Sequence, residues 1–122
     1  MKNLWLVIIL ALPCFSQADH LDVIEVQLNP DCDFNTYLAI TKDFNEKWAK
    51  DYNYRAEVLM PLQSHTLDSL FWVGRSANAA AFGKAWDAWR NELGNEKSVA
   101  AKLWARFEQC SSNVARRSYD AY

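Results

Sequence analysis

Two histidines, a few arginines and six tryptophans are the main material for chemistry in this 122-residue chain. His65 lies in the polar run Gln63-Ser64-His65-Thr66. An imidazole titrates near neutrality, so His65 is a candidate general acid, general base or haem ligand. A lone loop histidine is more often a solvated turn residue. Asp68 stands near enough in sequence to orient it. Tyr54, Trp72, Trp86 and Trp89 are candidates to line an apolar pocket. Such pockets orient their ligands through a few polar groups, and Arg55, Arg75, Arg116 and Tyr119 are available. The plainer alternative makes the aromatics core and the arginines solvated, above all Trp86 and Trp89, which share a helical stripe. Asp43 and Glu46 fall on a polar helix face and read as solvated.

Much other chemistry has no foothold. Gly-x-Ser-x-Gly, the Walker loop, His-Glu-x-x-His and Gly-x-Gly-x-x-Gly are all absent. So is Cys-x-x-Cys-His, which excludes covalent haem of that type. Cys32 and Cys110 have no histidine near them in sequence, since only His20 and His65 exist, so metal-ligand spacing is missing. We expect no metal and no cofactor. The formal net charge is −2, and Arg116-Arg117 is too short to form a basic face, so nucleic acid is not an expected partner.

The first segment reads as a signal peptide. Lys2 supplies a positive start, Leu4 to Leu12 is a short apolar run, and Ser16-Gln17-Ala18 offers small residues for cleavage after Ala18. The run is short for a bilayer span. Pro13 occupies a place where a lipoprotein signal ending at Cys14 needs a small, flexible residue. We therefore expect residues 1–18 to be removed and 19–122 to form one domain, exported to the periplasm or beyond, with no membrane association after cleavage. Two cysteines in an exported chain most simply make one disulfide, Cys32–Cys110. Closing so long a loop is worth roughly 4 kcal/mol in the chain-entropy model.

The positioning elements follow from periodicity. Leu21–Leu28 alternates, with Ile24, Val26 and Leu28 on one face and Glu25 and Gln27 on the other. Asn29-Pro30-Asp31 ends that strand. Asp33 can cap a helix running from Phe34 to about Lys50, whose stripe includes Tyr37, Phe44 and Trp48. Tyr54 to Arg75 reads as a long β-hairpin at the centre of a sheet. In its first half Tyr54, Ala56, Val58, Met60 and Leu62 share a face, and Pro61 suggests an edge or a bulge. Its second half, Leu70-Phe71-Trp72-Val73, is apolar on both faces and so needs cover on both. One of its rings must point away from the helices, and Trp72 is the candidate to face a partner. Gly74-Arg75-Ser76 reads as the strand's end, with Ser76 or Asn78 capping the next helix. Phe82, Ala85, Trp86, Trp89 and Leu93 form a clean helical stripe that stops at Gly94-Asn95. A third helix starts near Ser98. Asn113–Tyr122 is a final strand or a frayed tail.

The order β-α-β-β-α-α-β is that of an α+β, ferredoxin-like sandwich, one antiparallel sheet with helices on one face. That topology brings the end of the first strand beside the start of the last, where Cys32 and Cys110 would meet. With an apolar sheet face left over, the chain resembles the dimeric α/β-barrel superfamily, in which two such subunits pack sheet to sheet. The resemblance rests on element order and the tryptophan-bearing helices, not on a diagnostic motif. It implies a homodimer through the sheet face. Members include cofactor-free monooxygenases acting on polycyclic phenols, haem-degrading enzymes, dye-type peroxidases and stress-responsive proteins, so the fold leaves function open. The haem-degrading members use a helical histidine as iron ligand, and the three helices here contain none. Two readings result. The first is an exported, non-catalytic binder of a small apolar ligand or a partner. The second is a cofactor-independent monooxygenase using His65 or an arginine as polarising group.

Overall fold

Strand β1 (Asp19–Leu28) alternates as its sequence dictates and has neighbours on both sides for most of its length. The computed structural model describes residues 18–122, so the expected signal peptide lies almost wholly outside the described residues. After β1 come α1 (Phe34–Lys47), a 3-10 turn (Ala49–Tyr52), β2 (Tyr54–Leu59), β3 (Leu70–Ser76), α2 (Ala79–Leu93), α3 (Val99–Cys110) and β4 (Ser111–Ala121). The antiparallel sheet has the order β2-β3-β1-β4, the ferredoxin-like arrangement.

Local chemistry sets the boundaries. Asp33, Asn78 and Ser98 each accept a backbone N–H with their side chains, at Thr36, Ala81 and Ala101, and so start α1, α2 and α3. Asn53 ends the 3-10 turn in the left-handed region (φ 52°), which its short polar side chain tolerates. Cys32 and Cys110 form a disulfide with Cα atoms 5.0 Å apart. The pairing of Leu28 with Ser111 brings them together.

Three expectations need correction. The hairpin is not central: β2 is an edge strand, and the middle pair is β3 with β1. This is why Pro61, just past the end of β2, is harmless. Gly74-Arg75-Ser76 does not end β3, which continues through all three residues and pairs with β1 and β2. Trp72 does not face outward. It pairs with Ile24 and Val58 on the helix side, 7% exposed, and its ring meets Phe44 and Phe107. Phe71 is the ring on the opposite face, in line with Val73, Leu21 and Val23. The last segment is a strand, not a frayed tail.

The two sheet edges differ. On β2, the Asn45 amide oxygen accepts from the Ala56 N–H (2.8 Å), and its nitrogen donates to the Ala56 carbonyl (2.9 Å). A helical side chain thus satisfies the edge backbone as a neighbouring strand would. On β4 no such cap is present among the described residues.

Candidate functional site

The helix-covered face of the sheet does not close completely on the helices. Between them lies a cavity of about 510 Å³, within the usual range for small-molecule sites. Its body is aromatic. Phe44 of α1 sits at the hub, with the rings of Trp48, Tyr54, Trp72, Trp89 and Phe107 between 5.0 and 6.2 Å away. These contacts are mostly edge-to-face, the arrangement aromatic quadrupoles favour. Glu92 of α2 fixes one end by accepting from Trp48 Nε1 (2.9 Å) and from the Tyr52 hydroxyl. That bond, above all, raises the Tyr52 hydroxyl's pKa.

The polar end of the cavity is assembled from all four strands. Asp22 of β1 is 1% exposed. Arg116 of β4 grips it through Nε to Oδ1 (2.8 Å) and Nη2 to Oδ2 (2.6 Å), the bidentate geometry that suits guanidinium and carboxylate. Tyr54 of β2 donates to Asp22 Oδ2 over a long 3.4 Å and accepts from Trp72 Nε1 of β3 at 2.9 Å. Burial, with help from the Asp22 charge, pushes the Tyr54 hydroxyl far above the ordinary phenol range. Burial alone would lower the Arg116 pKa, but its bonds to Asp22 carry it above the ordinary guanidinium value. The guanidinium carbon lies 4.1 Å from the Trp86 ring centroid on α2, so Arg116 also makes a cation–π contact. The exposed lining residues Glu108, Ser112, Asn113 and Arg116 gather at the end of α3 and on β4, and the cavity opens there.

The sequence candidates divide. Tyr54, Trp72, Trp86 and Arg116 line the cavity, and so does Trp89. His65 lies exposed in the loop between β2 and β3, away from it. Arg55, Arg75 and Tyr119 stand on the opposite sheet face, Arg75 paired with Asp19 at 3.0 Å. Sequence reasoning missed Asp22, the partner that makes Arg116 part of the site. It also missed Tyr37, 2% exposed, whose hydroxyl makes no hydrogen bond to another described residue and whose pKa burial raises. His20, named only as a distant histidine, donates from Nδ1 to Asp120 Oδ1 at 3.1 Å. Its Nε2 and the Oγ of its cross-strand neighbour Ser76 are buried without partners among the described residues. No cluster of three or more metal-ligating side chains occurs among the described residues.

The fold and site together define a ferredoxin-like α+β domain with an aromatic cavity between sheet and helices. No family model matches the chain, and no curated protein does. Solved structures do. SnoaB, a cofactor-independent oxygenase from Streptomyces nogalater, superposes with a TM-score of 0.57 at 8% identity, covering 86% of this chain and 94% of that one. A conserved protein of unknown function from Bacteroides thetaiotaomicron VPI-5482, described as a possible oxidoreductase, gives 0.54 at 10% identity, covering 85% and 98%. A dimeric protein of ferredoxin-like fold from Bacteroides fragilis NCTC 9343 gives 0.49 at 12%, covering 87% and 99%, too remote to weigh. At such identities the likeness is one of fold. It agrees with the ferredoxin-like fold read from the sequence.

Proposed function

We propose that this is an exported, disulfide-bonded protein that binds a small apolar, ring-bearing molecule between sheet and helices without transforming it. The observation that carries this reading is the cavity of about 510 Å³, walled by aromatic rings and provided with one polar end. A core whose only task was stability would fill such a space, because unfilled volume costs stability. The signal-like first segment and the Cys32–Cys110 pair support export. Among the described residues no helix is long and apolar enough to cross a membrane. The apolar residues opposite the helices, Leu21, Val23, Phe71 and Val73, support a homodimer joined sheet to sheet. Burying them would contribute roughly 25 cal/mol per Å².

A second reading, a cofactor-independent monooxygenase, draws on the likeness to SnoaB and on Arg116 at the polar end as a polarising group. It is the weaker one. His65 stands away from the cavity, and the Asp22 carboxylate is committed to Arg116. Native mass spectrometry of the exported protein separates the readings. Extra mass lost on mild denaturation supports binding, and its chemical alteration under oxygen would move the oxygenase ahead. A bare mass that stays bare after incubation with hydrophobic aromatics would remove the ligand site.

A further inference from the structure

The Asp22–Arg116 pair at the cavity's polar end is neutral as a unit and nearly saturated, and this restricts what it can hold. Both Asp22 oxygens accept from Arg116, and Oδ2 accepts from Tyr54 as well. The Tyr54 hydroxyl is itself used twice, as donor to Asp22 and acceptor from Trp72. What remains on this pair is Arg116 Nη1, which has no hydrogen-bond partner among the described residues. A guanidinium only donates.

Resting on the reading of the cavity as a ligand site, we propose that it selects neutral aromatic molecules bearing a hydrogen-bond-accepting oxygen, bound by Arg116 Nη1, over carboxylate analogues. Charge decides the exclusion. Asp22 cancels Arg116, and Glu108 adds a negative charge at the mouth. An anion would leave water for an aromatic enclosure that offers no net countercharge, which is costly. A ketone or ester oxygen adds one hydrogen bond and displaces none.

Three probes sharing one ring system test this on the mature protein: acetylnaphthalene, naphthalene and naphthoate, each titrated at neutral pH by calorimetry. The expected result is binding of acetylnaphthalene, with naphthalene weaker and naphthoate weaker than the ketone by about tenfold or more. Arg116→Lys keeps the charge and loses the forked donor, so it should bring acetylnaphthalene down to the level of naphthalene. If Arg116→Lys fails to fold by circular dichroism, the wild-type ranking alone decides. Naphthoate binding as tightly as the ketone, or ketone and naphthalene binding alike, would overturn the selectivity and leave the cavity a ligand site. No binding of any probe would remove the ligand site itself and this proposal with it.

Discussion

Tyr54 lays its phenol across the backbone of Gly74, so close that a Cβ on Gly74 would coincide with the Tyr54 hydroxyl group. The glycine is a passage rather than a turn. It lets a residue of the edge strand β2 reach across β3 to Asp22 on β1. Gly74→Ala should therefore push Tyr54 out of its place and cost about 1–3 kcal/mol, the usual range for overpacking. Urea denaturation measures the loss. Adding Tyr54→Ala should make the alanine at 74 nearly silent, and an undiminished penalty in that background would locate the strain elsewhere.

Arg116 and Asp22 should behave as a coupled pair. Arg116→Ala leaves a carboxylate buried with no cation, and the expected cost is about 3 kcal/mol, the low end for such losses because Arg116 is itself partly exposed. Removing both charges with Asp22→Ala and Arg116→Ala should recover part of it. Simple addition of the two single effects would show that the pair contributes no coupling.

The two rings of β3 should answer oppositely to charge. Phe71→Glu places a carboxylate opposite the helices and should yield a folded monomer on a sizing column. Trp72→Glu buries one among Phe44 and Phe107 and should unfold the domain. A Phe71→Glu protein eluting as wild type does would argue against pairing through that face.

Acid should erase one tie between α1 and α3. Hydrogen bonds from Arg106 first, then from Lys47, hold the Asp43 carboxyl below its ordinary pKa. A carboxyl whose pKa is depressed on folding contributes stability above its unfolded pKa, about 4, and loses it as pH falls through the folded value. Asp43→Asn should thus be less stable than wild type at neutral pH, with the gap closing below about pH 4. A gap constant down to strongly acid pH would refute that link.

Element order, helix caps and the Cys32–Cys110 pairing were all legible because each depends on local pattern plus one topology. Asp33 and Ser98 precede their helices in the expected way, and the disulfide follows once β1 and β4 are neighbours. Asp22 also left a signal. It shares the parity of Ile24 and Val26, so it is a carboxylate on the apolar side of an alternating strand. Arg116 could not be placed by the same means. β4 slips register against β1 after Glu25, where Val114 is the extra residue, and parity counted from Cys110 is lost there. Trp72 and Phe71 are a different case. Both are aromatic neighbours on one strand, and only the pairing of Trp72 with Ile24 decides which of them turns inward. Arg55, Arg75 and Tyr119 were grouped with the pocket by chemical type, which says nothing about the side of the sheet.

Asn45 also bears on how many copies of this chain can join by strand pairing. With the Ala56 backbone already satisfied, the β2 edge has no free register at its middle, and the unguarded edge belongs to β4. A sheet that can grow from one side only cannot propagate. Any edge-to-edge association must be β4 against β4, a two-fold arrangement that consumes both free edges at once and terminates at two copies, where a sheet open on both sides would extend into a fibre.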